Sequence, residues 1–320
     1  MQKSIIALLL LNVFTLPVNG KDRKHKSIKI LPVPAFGYTP ETRTYIGAVS
    51  LFTLDLYHDS LTRTSNAKVE LNYTWNKQII AETEWTYFFK QEKWLTKGRL
   101  HFSKFPDRYY GIGNRTPDSN ELLYHSNRII AEGNILKKVQ PHLFSGPVIK
   151  YLRYSNMSNS SLFPELAGNS SLGIGYTLLY DSRNNLLNPK QGWYANLAGG
   201  YVFHRLKYGE LLLDSRYYHT WRNRLTLATR WYNEMNFSTT PFYDYALLGG
   251  DKLVRGYYFG RFRDKNLSTL QAEVRSIIVW RLGLAVFGGI SNLYSSIGNI
   301  SLPATKYNYG LGLRFLIDRK

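Results

Sequence analysis

Hydrophobic and polar side chains alternate along most of the chain. Over residues 67–76, Ala67, Val69, Leu71, Tyr73 and Trp75 fall on one side, and Lys68, Glu70, Asn72, Thr74 and Asn76 on the other. A strand sends successive side chains to opposite faces, so this period of two predicts a strand with one apolar and one polar wall. The pattern returns over 79–90, where Ala81, Trp85, Tyr87 and Phe89 oppose Glu82, Glu84 and Lys90. Over 209–221, Leu211, Leu213, Tyr217 and Trp221 oppose Glu210, Asp214 and Arg216. Over 267–281, Leu270, Ala272, Val274, Ile278 and Trp280 oppose Gln271, Glu273, Arg275 and Arg281. Over 307–318, Tyr309, Leu311, Leu313, Phe315 and Ile317 oppose Asn308, Arg314 and Asp318. Helical periodicity is hard to find anywhere beyond residue 28.

About fourteen such segments are visible, starting near residues 27, 43, 67, 78, 95, 122, 143, 171, 192, 207, 224, 266, 282 and 307. The longest gaps, 105–121, 157–170 and 238–265, read as loops at one face, with short turns at the other. A soluble sandwich also alternates, but its strands are shorter. Here the segments reach about ten residues or more, and aromatic rings sit near the ends of many apolar stripes, the pattern of a lipid-facing barrel with aromatic girdles. Closing the sheet removes the unpaired edges that a bilayer cannot satisfy. The expected fold is therefore all-β: a transmembrane antiparallel β-barrel.

The N-terminus sets the compartment. Met1-Gln2-Lys3 is a short basic start, residues 4–16 form an apolar run, and Val18-Asn19-Gly20 supplies small residues for cleavage. The run is shorter than the roughly 20 residues that span a bilayer, so 1–20 read as a signal peptide. Residues 21–27 then form a short periplasmic lead, and 28–320 the barrel domain.

Composition narrows the chemistry. Of the 320 residues, 15% are aromatic, including 25 tyrosines and 7 tryptophans, which suits a β-rich membrane protein. Cysteine is absent, excluding disulfide scaffolds, thiolate metal sites and cysteine nucleophiles. The formal net charge of +19 fits an anionic partner such as lipopolysaccharide phosphate, or a basic lumen. Because the basic residues are dispersed, no nucleic-acid partner is expected. GxSxG, HExxH and GxxxxGK[ST] patterns are all missing, and the seven histidines lack ligand spacing. No cofactor, metal site or catalytic residue is expected; a lipolytic barrel is the enzymatic alternative, without a local motif to announce it.

A series of short motifs appears in a fixed order. Pro34-Ala35-Phe36-Gly37-Tyr38-Thr39-Pro40-Glu41-Thr42 is followed by Tyr109-Tyr110-Gly111-Ile112-Gly113-Asn114. Next come Tyr180-Asp181-Ser182-Arg183-Asn184 and Asn188-Pro189-Lys190-Gln191-Gly192-Trp193-Tyr194, a turn marked by Asp181, Arg183, Pro189 and Gly192. Val254-Arg255-Gly256-Tyr257, Ala272-Glu273-Val274-Arg275 and Gly310-Leu311-Gly312-Leu313-Arg314-Phe315 complete the series. In this order they make the chain resemble the BamA/TamA family of outer-membrane barrels, the bacterial surface antigen family, from about residue 30 onward.

The resemblance implies a 16-stranded barrel in the bacterial outer membrane whose sixth outer loop folds back into the lumen. Val254, Arg255, Gly256 and Tyr257 match that loop's tip, and the matching arginine binds the inner wall. Glu273, lumen-facing by alternation, is the first candidate partner for Arg255, and Asp318 the second. Two departures stand out. Where the family often has Phe-x-Asp-x-Gly, this chain has Phe287-Gly288-Gly289-Ile290-Ser291, so Gly289 replaces the acid. The chain also ends at Arg319-Lys320, soon after the fourteenth strand, and leaves no room for the family's usual periplasmic domains. The resemblance implies protein insertion or translocation, with lipid, lipopolysaccharide, client outer-membrane or secreted proteins and a separate periplasmic protein as partners. A passive channel or structural surface antigen is the alternative.

Overall fold

The computed structural model describes residues 27–39, 43–57, 59–75, 77–156, 158, 170–203, 207–222, 224–251 and 253–316. The expected signal peptide, nearly all of the periplasmic lead and Asp318 lie outside the described residues.

Fourteen strands form one antiparallel sheet in chain order. The first seven are β1 (Ser27–Thr39), β2 (Arg43–Asp55), β3 (Ser65–Thr74), β4 (Ile79–Phe88), β5 (Trp94–Tyr109), β6 (Leu122–Gln140) and β7 (Leu143–Ser155). β8 (Ser170–Asp181), β9 (Gly192–Phe203), β10 (Tyr208–Trp221) and β11 (Leu225–Phe237) follow. Between β11 and the next long strand, β12 (Ala246–Leu248) and β13 (Phe262–Asp264) form a separate hairpin. β14 (Asn266–Val279), β15 (Leu282–Tyr294) and β16 (Lys306–Phe315) complete the sheet. Each strand starts within two residues of the position that alternation predicts.

Alternation carries through to exposure. In β8, Leu172, Ile174, Tyr176, Leu178 and Tyr180 are exposed, while Ser171, Gly173, Thr177, Leu179 and Asp181 between them are buried. Trp75 and Tyr309, 81% and 88% exposed, lie in the same apolar stripes. This face has no protein to cover it, and a hydrocarbon solvent accounts for it. The other face is polar and ion-paired, as for Lys68 with Glu70 and Glu82.

Contacts across that polar face show that the sheet curls. Lys97 of β5 donates to the Tyr194 hydroxyl of β9 at 2.6 Å, and Lys150 of β7 to Glu210 of β10 at 2.9 Å. The Tyr257 hydroxyl donates to the Tyr307 carbonyl of β16, and the neighbouring Tyr258 hydroxyl to Asp107 of β5. One loop thus touches strands far apart in the sheet. Among the described residues, no ladder joins β1 to β16.

Three details depart from the expected pattern. β5 runs on to Tyr109, taking up the first part of the predicted 105–121 loop. The alternation expected to continue through Trp280 breaks at a register shift between Ile277 and Val279, and Val279 and Trp280 are both exposed. The connections leaving after β5, β7 and β11 share one rim, the loop rim, but the opposite turn rim is not uniformly short. There the β2–β3 and β8–β9 connections span 56–64 and 182–191, and both carry residues that bond inside the barrel.

Candidate functional site in the barrel lumen

The β11–β14 connection turns inward. Its β12–β13 hairpin is extended by bonds from Gly250 N–H to the Tyr257 carbonyl and from Gly260 N–H to the Leu248 carbonyl. Val254 at the tip is fully buried, in a cluster with Ala246, Leu248 and Phe262 of the loop and Leu267 and Leu293 of the wall. Burying such a side chain contributes about 1.5–3 kcal/mol, so the tip has an apolar reason to leave water. Gly256 follows with φ +104° and open space around it. That backbone region is costly for a residue with a Cβ, and glycine permits the reversal.

The loop is held from several sides. The Tyr208 hydroxyl donates to Asp244 at 2.5 Å, and the Tyr154 and Tyr243 rings lie 5.3 Å apart. Arg261 donates to the Thr116 hydroxyl and carbonyl and to Asp118, tying this loop to the β5–β6 loop. Asn236 donates to the Asp244 and Lys265 carbonyls at the loop's two ends. Burial pushes the Asp264 carboxyl up, although the Lys265 N–H donates to it.

Arg255 reaches the wall. Its Nη2 donates to Glu273 Oε2 at 2.5 Å, and its guanidinium lies over the Phe287 ring at 3.5 Å. Glu273 and Phe287 are register partners on β14 and β15, so one row of the sheet supplies both contacts. Glu273 Oε1 also accepts from Arg275 Nε at 2.6 Å and Arg314 Nη1 at 3.0 Å. One carboxylate thus serves three arginines. Gly289 removes the acid that the family pattern puts on β15, and its neighbours occupy that space. A Cβ there would meet Asn308 Oδ1 at 2.7 Å and Gln271 Cγ at 2.9 Å. Gln271 instead holds the tip by donating to the Leu253 carbonyl.

A second arginine cluster lies alongside. Asp214 on β10 accepts from Arg216 at 3.0 and 2.6 Å and from Arg230 on β11 at 2.9 and 3.0 Å. Both are forked pairs, the geometry that suits guanidinium to carboxylate. Arg216, Arg230, Arg255, Glu273 and Arg275 line a cavity of about 170 Å³.

The turn rim holds a third cluster. Asp181 accepts from Arg183 Nε and Nη2 at 2.8 and 2.9 Å, and its carbonyl accepts from Arg63 Nη1 at 2.9 Å. Arg63 also bonds Glu92 through its backbone N–H, Nε and Nη2, and stacks 4.4 Å over Phe88. Phe88, Leu95, Leu136, Phe144, Leu179 and Tyr194 form an apolar core beside it. In the β8–β9 turn Pro189 is buried, and Gly192 has φ +107°. A Cβ on Gly192 would sit 2.3 Å from the Ser182 carbonyl oxygen.

The structure thus brings Arg255 to Glu273, groups Val254 and Tyr257 with the loop's apolar cluster, and places Asp181, Arg183, Pro189 and Gly192 in one turn. Sequence reasoning missed Arg63, Glu92, Arg230 and the role of Arg314. One signal was available. Asp181/Arg183, Asp214/Arg216 and Glu273/Arg275 each repeat an acid and an arginine two residues apart, and that spacing puts both on one strand face. Arg63 and Glu92 sit in separate turns and carry no such signal.

A family model described as the Omp85 superfamily domain matches residues 41–317. No match was found among curated protein sequences. Among solved structures the chain is similar to BamA from Haemophilus ducreyi lacking POTRA domains 1–3, with TM-score 0.57 and 13% identity. That likeness covers 92% of this chain and 65% of that one. It is also similar to CdiB from Acinetobacter baumannii, with TM-score 0.56 and 12% identity over 92% of this chain and 54% of that one. The chain therefore spans roughly half to two thirds of those proteins' length, and at such identities the likeness speaks for the fold. With that family match over most of its length, the chain belongs to the Omp85 superfamily.

Proposed function

We propose that this barrel resides in the bacterial outer membrane and inserts or translocates other proteins there, with the 238–265 loop as an anchored lumen element. The observation that carries this reading is the Arg255–Glu273 contact, which fixes the tip to β14 beside the last strands of the sheet. No covalent chemistry is invoked. Unpaired N–H and C=O groups on a strand edge template an incoming strand by main-chain pairing, the interaction used in β-augmentation. β1 and β16, which share no ladder among the described residues, are the edges for that role. The partners are outer-membrane lipid and lipopolysaccharide, client outer-membrane or secreted proteins, and a separate periplasmic protein that delivers them.

Depleting the protein tests this directly. The outer-membrane and secreted proteomes are expected to lose specific members, and the Arg255→Ala variant to restore them less well than the wild type. Unchanged proteomes on depletion would refute the reading. The arginine-rich lumen gives a passive channel some support as the alternative. Ion conductance by the purified barrel together with an unaltered proteome would favour it.

A further inference from the structure

The two arginine clusters on the lumen wall share more cation than anion. Arg216 and Arg230 converge on Asp214, and Arg255, Arg275 and Arg314 converge on Glu273. Leaving aside Arg230, which has a further contact, four guanidinium groups meet two carboxylates, two more cations than acids. Nor can the two acids take much more. Each Asp214 oxygen already accepts twice, and Glu273 accepts three bonds, against about four lone-pair sites per carboxylate. Each guanidinium has five N–H donors, so four of them carry more donors than two carboxylates can take.

Arg216, Arg255 and Arg275 line a defined space. The cavity of about 170 Å³ is bounded by β10, β11, β14, β15 and β16 and by Arg255 of the loop. A tetrahedral oxyanion displaces two or three waters, roughly 60–90 Å³ at ~30 Å³ per water, so it fits with room for solvent. The arginines are also positioned before any ligand arrives. Arg216 lies over Tyr194 at 5.1 Å, Arg230 over Tyr232 at 5.0 Å and Arg255 over Phe287 at 3.5 Å. Rings hold the planar forks in fixed orientations, which lowers the ordering cost of binding.

We propose that this cavity is a binding site for a phosphate-class oxyanion, held by Arg216 and Arg275, with Arg255 closing it from the loop. A phosphate carries close to two negative charges and presents several acceptor oxygens, so it matches a surplus of two cations and their planar donor forks better than a single carboxylate does. Since Arg255 belongs to the loop and the other arginines to the wall, an occupied site ties the tip to the wall through a second contact besides Glu273. The ion is either free or the phosphate of a lipid headgroup.

The full-length barrel in lipid-depleted detergent, titrated with inorganic phosphate against sodium chloride at equal ionic strength, tests the proposal. Phosphate is expected to raise the thermal unfolding midpoint saturably where chloride does not. Arg275→Gln and Arg216→Gln are expected to weaken the apparent phosphate affinity at least tenfold, and Arg99→Gln, at a residue that pairs with Glu132 elsewhere on the wall, to leave it unchanged. Where a glutamine variant fails to fold, Arg275→Lys keeps the charge and loses the fork, and a clear loss of affinity is still expected. A lipid-borne phosphate predicts a different result: no response to inorganic phosphate, but stoichiometric phosphorus retained through delipidation by the wild type and lost from Arg275→Gln. Equal effects of phosphate and chloride with no retained phosphorus would overturn the site, as would a phosphate response unchanged in the Arg275 and Arg216 variants.

Discussion

Arginine meets carboxylate at both ends of this lumen, in two different dielectric settings. At the turn rim the Glu92 and Asp181 side chains are 6% and 3% exposed, and Arg63 is stacked between them and Phe88. At the loop tip Arg255 is 41% exposed and borders a cavity. Water and salt weaken a charge pair steeply, so equal contact distances do not mean equal strength. The lower cluster is built to stay shut. The upper one can be released at modest cost.

The largest expected effect tests the lower cluster. Asp181→Ala removes a carboxylate that Arg63 and Arg183 both face, and although Arg63 keeps Glu92, Arg183, only 11% exposed, loses its forked partner. Breaking a buried pair from one side costs about 3–5 kcal/mol. The urea unfolding midpoint of the barrel in detergent should fall accordingly. A loss no larger than that caused by Arg255→Ala would erase the distinction between the two ends.

Glu273→Gln comes next. It removes the negative charge and one of the two oxygens that Arg255, Arg275 and Arg314 share, and losing charge-assisted bonds at a mostly buried site is expected to cost about 2–3 kcal/mol. The same substitution should make the 238–265 loop more sensitive to added protease, because its wall contact is lost. A variant as resistant as the wild type would mean that the apolar cluster around Val254 holds the loop without the ion pair.

Gly256→Ala separates geometry from charge. At φ +104° a Cβ has room but no favourable backbone, so the expected loss is about 1–2 kcal/mol, confined to the tip. Gly192→Ala at the turn rim adds a clash with the Ser182 carbonyl oxygen and should cost more. Equal midpoints for the two variants would show that the β8–β9 turn relaxes as easily as the loop.

The strands were legible because a barrel writes its fold as alternation, and β8 shows this residue by residue. Where the physics departs from period two, legibility stops: the bulge after Ile277 lets Val279 and Trp280 share the exposed side. The Arg255–Glu273 pair was accessible from a motif plus the face that alternation assigns to Glu273. Arg63 and Glu92 were not, because each lies in a turn and they meet only once β3 and β4 have paired. The arginine surplus was equally hidden. It appears in the composition as net charge, but only register places Arg230 and Arg314 beside acids on other strands.

Arg255 itself should give the smallest change and the clearest contrast with the turn rim. A half-exposed pair contributes about 1 kcal/mol or less after screening, so Arg255→Ala should shift the unfolding midpoint only slightly. Arg255→Lys keeps the charge but loses the planar fork and the flat contact with Phe287, and its midpoint should fall between those of the alanine variant and the wild type. Raising the salt from 0.05 M to about 0.5 M shortens the screening length severalfold, so the gap between wild type and Arg255→Ala should close. The gap for Asp181→Ala should persist, because no salt reaches a carboxylate that is 3% exposed. If both gaps close together, the turn-rim cluster is as wet as the loop tip, and the division of the lumen into a fixed floor and a releasable latch fails.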